Sequence, residues 1–182
     1  GYVPYSSICS WNGVNCYQFP SRKLSATAAA ASIPGSVTSI ILSSGSLAGS
    51  LPDSLGYLTD LETFDVSANS LQSSIPSEIG SLSSLTFLDL SSNTFTSSIP
   101  SDLGYVSSLQ QLYLDNNDLT GTVPSTLCDL GGLTTLTIGS NTKVTCYASC
   151  LSSHGITADD SQSSCTLAPV SSPTGNTILS II

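Results

Sequence analysis

The chain has 182 residues, which fits about one domain, and carries 12 acidic residues against 3 basic ones for a formal net charge of −9. That balance excludes a nucleic-acid binder working through clustered Lys and Arg. Only 8% of residues are charged while 40% are hydrophobic, and Ser and Thr supply the polar surface instead, so the chain is no disordered polar tract.

The predicted elements begin with a Cys-bounded stretch, CSWNGVNC at 9–16. No secretory leader is visible in the opening Gly-Tyr-Val-Pro, which reads as a chain already processed. A long stretch then intervenes, with Arg22 and Lys23 near its start and an Ala run at Ala28 to Ala31, and it predicts a short helix. Residues 1–36 are thus taken as an N-terminal cap with an inserted helix.

From residue 37 the chain repeats itself at a fixed period without a gap, over 37–60, 61–84, 85–108 and 109–132. A further copy starts LTTLTIGSN at Leu133 and breaks off, so repeats are assigned to 37–141. The shared pattern is LxxLxLxxNxLxxxIPxxLGxLxx. LxLxxN predicts a short strand whose alternate residues point inward. The Asn residues Asn69, Asn93, Asn117 and Asn141 are expected to turn inward in a ladder and bond backbone groups, and Gly45 leaves that ladder open at its N-terminal end. Pro52, Pro76, Pro100 and Pro124 cannot donate to a β ladder, which predicts a bend or an edge there. The xxLGxL stretch that follows predicts a short helical turn. One coil cannot bury its own apolar side, but stacked coils share a core.

Residues 142–165 are a Cys-rich C-terminal cap. An even cysteine count near the two ends reads as stapling and an oxidising, extracellular compartment. Cys128 and Cys150 lie almost one coil apart, which favours Cys128–Cys150 and leaves Cys146–Cys165, although these cysteines allow other pairings. Residues 166–182 begin as a Ser/Thr/Pro linker and end in an apolar strand carrying Ile178, Leu179, Ile181 and Ile182. Bare in water that strand would promote aggregation, so it is expected to dock on its own coils or to be donated to another copy.

The repeat pattern and the Cys-x-Trp-x-Gly-Val-x-Cys stretch resemble the plant-type leucine-rich-repeat family, over roughly residues 9–150. The resemblance implies an α/β solenoid, a right-handed superhelix with a concave parallel β-sheet, short 3₁₀ turns on the convex side and disulfide caps at both ends. It also implies that Cys9 pairs with Cys16 and that Trp11 covers the end of the core. The family's Gly before Ile-Pro is kept at Gly49 and Gly121 but replaced at Ser73 and Ser97. These departures and the long insertion point to an alga or another protist rather than a land-plant receptor.

Nothing in the sequence assembles catalysis. The only His is His154, in the C-terminal cap, and no Ser sits in a GxSxG context or beside a partner base. No enzyme activity, cofactor or metal is therefore expected. No apolar run reaches the length that a membrane span needs, which predicts no such span. No Asn-x-Ser/Thr sequon occurs, so any glycan would be O-linked.

Binding has an address, because the x positions of LxxLxLxx face solvent. One predicted column runs Ile41, Asp65, Asp89, Tyr113, Thr137; its neighbours carry Phe87, Gln111 and Asp115. The candidate binding face is therefore Asp65, Phe87, Asp89, Gln111, Tyr113 and Asp115. Sparse charge, the apolar tail and two open solenoid ends favour self-assembly into an extracellular coat, matrix or filament, with other copies or a matrix protein as partner. The alternative is a recognition module: a receptor ectodomain or a secreted inhibitor of wall-degrading enzymes. Ice binding ranks third, since Thr134, Thr135 and Thr137 share their face with acids and aromatics.

Overall fold

The computed structural model describes residues 14–16, 36–148 and 163–165. Within them the chain winds into stacked coils, each adding one short strand to a parallel sheet and one 3₁₀ turn to a second wall. The sheet strands are β2 (Val37–Ile41), β4 (Thr63–Asp65), β6 (Phe87–Asp89), β8 (Gln111–Tyr113) and β10 (Thr135–Thr137). They pair in that order, in parallel, and each is displaced from the last by one repeat: Phe64 lies beside Leu88, and Leu88 beside Leu112. Strand β1 (Val14–Cys16) pairs antiparallel with β2 and covers its free edge. This places part of the N-terminal cap against the sheet, as a terminal edge strand would otherwise expose unpaired backbone groups.

The core sits inside the coils. Leu61, Phe64, Val66, Leu71, Ile75, Ile79 and Leu82 are buried in one repeat, and Leu85, Leu88, Leu90, Phe95, Ile99, Leu103 and Val106 follow in the next. The residues of each short strand alternate out, in, out, so the middle one goes to the core. In the first coil Ile40, Leu42, Leu47, Leu51 and Leu58 are only partly buried, because a repeat flanks that coil on one side only.

The Asn ladder forms as expected. Asn117 donates through Nδ2 to the carbonyls of Leu90 (3.0 Å), Leu114 (3.1 Å) and Asp115 (3.2 Å). Its Oδ1 accepts from the Phe95 N–H at 3.0 Å. Asn93 repeats the scheme one coil earlier, and Asn69 adds the Gly45 N–H, at 2.9 Å, in the coil that lacks its own Asn.

The structure adds a second ladder that the repeat pattern does not announce. Strands β3 (Ala48–Gly49), β5 (Ser70–Ser74) and β7 (Thr94–Thr96) pair in parallel after the Asn turn. Strands β9 (Thr120–Thr122), β11 (Lys143–Ala148) and β12 (Ser163–Cys165) form a second group, bridged to the first between Ser98 and Thr120. The prolines follow these strands, outside the ladder, where each caps a 3₁₀ turn: η1 (Asp53–Tyr57), η2 (Ser77–Ser81), η3 (Ser101–Tyr105) and η4 (Ser125–Asp129). Adjacent turns approach so closely that a Cβ on Gly80 would lie 2.5 Å from the Asp102 carbonyl oxygen. The glycine of the repeat is there to let the turns touch.

Cys128 is half-buried and disulfide-bonded. Cys146 and Cys165 fall on the neighbouring strands β11 and β12, where Cys146 stands opposite Ser163 and Ala148 opposite Cys165. The pairings Cys9–Cys16 and Cys128–Cys150, Trp11, the inserted helix, His154 and the tail residues Ile178, Leu179, Ile181 and Ile182 involve positions outside the described residues.

Candidate binding surface

Alternation along the short strands sends two side chains per coil outward and one inward. The ladder then aligns the outward ones in rows. One row is Thr63, Phe87, Gln111, Thr135; the next is Asp65, Asp89, Tyr113, Thr137. All these side chains are half-buried, shielded by their neighbours along the row. The predicted columns are therefore the observed ones, and they bring Phe87, Gln111, Tyr113, Asp65 and Asp89 onto one patch.

Phe87 and Tyr113 stand diagonally across β6 and β8, with ring centroids 5.5 Å apart and planes at 44°. A tilted aromatic pair of this kind is held in place and contributes about 1 kcal/mol beyond its buried area. The acids beside it are also fixed. Asp65 Oδ1 accepts from the Ser67 N–H (2.9 Å) and hydroxyl (2.7 Å), and Asp89 Oδ1 accepts from the Ser91 N–H (2.9 Å) and hydroxyl (2.6 Å). The Asp-x-Ser sequence folds this way because a short carboxylate reaches the amide two residues on and closes the strand with a turn. Among the described residues neither second oxygen has a partner, which leaves each available to an incoming donor.

Asp115 sits one step further along the chain and is engaged at both oxygens. Oδ1 accepts a short hydrogen bond from the Thr137 hydroxyl, and Oδ2 accepts from Asn116 Nδ2 at 2.8 Å. It belongs to the rim of the patch more than to its centre. Ile41, 44% exposed, heads the column that contains Asp65 and adds an apolar end to the face. The column pattern includes it, while the predicted site does not.

Two further exposed aromatics lie outside the predicted face. Tyr57 ends η1 and Tyr105 ends η3, at 86% and 71% exposure. The repeat carries their signal, since Tyr57, Ser81, Tyr105 and Asp129 occupy one position in successive copies. Among the described residues no group of His, Cys, Asp or Glu could hold a metal ion, and no helix is long and apolar enough to cross a membrane.

Two stretches of the chain, 35–95 and 108–130, match the family of leucine rich repeats. No curated protein is significantly similar in sequence. Solved structures are. The ectodomain of the receptor kinase SOBIR1 from Arabidopsis thaliana superposes with a TM-score of 0.72 at 27% identity, over 87% of this chain and 86% of that one. A chain of the BIR3–SERK2 complex from the same plant gives 0.71 at 32% identity, over 90% of this chain and 80% of that one. The receptor kinase HAESA, in complex with the peptide hormone IDA and the co-receptor SERK1, gives 0.55 at 33% identity over 58% of this chain and 18% of its own.

Proposed function

The chain belongs to the leucine-rich-repeat family, and on that premise we propose that it is a non-catalytic recognition module that binds a protein or peptide partner outside the cell. The observation that carries this reading is the fixed Phe87–Tyr113 pair with Asp65 and Asp89 beside it, on a sheet face with no other element packed over it among the described residues. Rigid aromatics lose little entropy on binding and are the usual anchors of an interface. The spare carboxylate oxygens suit Lys, Arg or backbone N–H donors of an extended segment lying across the rows.

Composition and the apolar tail, taken alone, favour a self-assembling coat or filament. That reading yields to recognition, because the structural neighbours include receptor ectodomains, and two of the three described above come from complexes. Secretion or display at the cell surface accords with those neighbours and with the even cysteine count.

Selection from a displayed library of random peptides tests the proposal, with light scattering on the same material. The protein should be monomeric at high concentration and should enrich peptides rich in Lys or Arg. Phe87→Ala combined with Tyr113→Ala should weaken the selected peptides by roughly thirtyfold or more, about 2 kcal/mol, without changing the fold. Peptides bound equally well by the double variant, or a chain that self-associates through this face, would overturn it.

A further inference from the structure

The outer wall of 3₁₀ turns carries the two most exposed large apolar side chains among the described residues, Tyr57 and Tyr105. We propose that this wall is a second binding site, independent of the sheet face, and that it takes a neutral, extended β-1,4-linked glycan.

The placement of the two rings makes the case. Both follow the glycine of the same turn, in Leu-Gly-Tyr sequences at the ends of η1 and η3. Equivalent backbone in equivalent coils sends the two side chains in the same direction. The turns stack in register: Ser83 donates to the Thr59 carbonyl at 3.5 Å, Ser108 to the Ser83 carbonyl at 2.9 Å, and Thr126 to the Ser101 carbonyl at 2.7 Å. A Cβ on Gly56 would lie 2.6 Å from the Glu78 carbonyl oxygen, so no slack separates the turns. The turns directly follow the paired strands β3, β5 and β7, whose spacing of about 4.8 Å sets the coil separation where the turns begin, so two coils put the rings on the order of 10 Å apart.

A β-1,4-linked pyranose chain turns over at each sugar and presents the same ring face at every second one, a repeat of this order. Laid along the solenoid, it can set alternate sugars on Tyr57 and Tyr105 and the sugar between them over Ser81, which is small and exposed. The C–H face of a pyranose is apolar and suits a tyrosine ring. Neither tyrosine hydroxyl is engaged by the described residues, so each can also bond a sugar hydroxyl. The surrounding Thr59, Ser83 and Ser107 are exposed hydroxyls of matching chemistry.

Charge decides between neutral and acidic glycans. Asp53, Asp60, Glu78, Asp102 and Asp129 lie on or beside these turns, and among the described residues no Lys or Arg does. A polyuronate would meet only like charge along its length. A protein segment would also stack on tyrosine, but two rings held in register by the coil repeat, with exposed hydroxyls between them, fit a periodic polymer better than a folded partner.

The test is titration calorimetry of the full chain with cellohexaose and mannohexaose, with polygalacturonate as the acidic counterpart. At least one neutral hexasaccharide should bind, and polygalacturonate should not. Tyr57→Ala and Tyr105→Ala should each weaken the binding by roughly fivefold, and the double variant should abolish it. The thermal midpoint should stay unchanged, since both rings are exposed, which separates lost binding from lost fold. Failure of both hexasaccharides to bind overturns the proposal. So does a double variant that binds like the parent, or stronger binding of polygalacturonate. None of these results bears on the sheet face, which is tested with peptides.

Discussion

Asn117 bonds to two coils at once, and that makes it costly to remove. Its Nδ2 reaches the Leu90 carbonyl of one coil and the Leu114 and Asp115 carbonyls of its own, while Oδ1 takes the Phe95 N–H. The side chain is buried, so water cannot take over. Asn117→Ala should therefore lower stability by about 3 kcal/mol, the cost of leaving several backbone groups unpaired. Asn69→Ala removes a similar set of bonds, but Asn69 is only half-buried, at the end of the ladder. Water can partly replace it, and the loss should be about 1 kcal/mol. Urea unfolding of the two variants checks both the size and the order; equal losses would mean that burial is not what makes the ladder costly. This ladder is legible in the sequence because a buried amide recurring once per coil has one physical use. The residue before each Asn is not legible. Ala68, Ser92, Asn116 and Ser140 all have φ between 53° and 57°, and only Asn116 is a residue type that favours that region. Hydrogen bonding by the neighbouring Asn imposes the conformation, against local propensity.

The second ladder is where local sequence and element structure disagree most. Strands β5 and β7 contain or abut Ser73 and Ser97, with φ of 72° and 67°, at the position held by Gly49 and Gly121 in the first and fourth copies. Each has a single inward apolar residue, Leu71 or Phe95, followed or flanked by a serine in a left-handed backbone that local propensity does not favour, so the strand is hard to read from sequence. They form because the main sheet and the 3₁₀ turns already fix the spacing of the coils. The sheet strands show their inward apolar residue in every copy with no left-handed residue inside the strand, and the predicted columns match the observed register. The same contrast gives a prediction. A left-handed backbone costs a residue with a side chain about 1 kcal/mol relative to glycine. Ser73→Gly and Ser97→Gly should each stabilise the protein by up to about 1 kcal/mol, less the entropy glycine adds to the unfolded chain. Both serines are exposed, so no packing is lost. Thermal unfolding of the pair of variants reads the result, and a fall in midpoint for both would show that the serine hydroxyls hold the ladder together.

At the scale of the molecule, a stack of coils has no centre except the one its ends leave it. Each coil is stabilised by the neighbours on either side, so stability should fall towards the termini of the stack. The first coil already shows it: its apolar residues Ile40, Leu42, Leu47, Leu51 and Leu58 are partly buried, whereas Leu88 and Leu112 in the third and fourth coils are fully buried. The Phe87–Tyr113 pair lies on those same interior coils, on side chains adjacent to Leu88 and Leu112 in sequence. A site there is held by the coils on either side as well as by its own ring pair and Asp–Ser bonds, so the backbone beneath it stays fixed while outward residues vary from copy to copy. Native-state hydrogen exchange should therefore show the amides of Leu90 and Leu114 protected at least roughly tenfold more than those of Leu42 and Ser44. The amides compared all donate to the next coil, so intrinsic bonding is matched: Leu42 to Asp65, Ser44 to Ser67, Leu90 to Tyr113 and Leu114 to Thr137. Equal protection from end to end would mean that the stack opens as one unit, and the rigidity of the binding face would then depend on the whole chain rather than on its place in the middle.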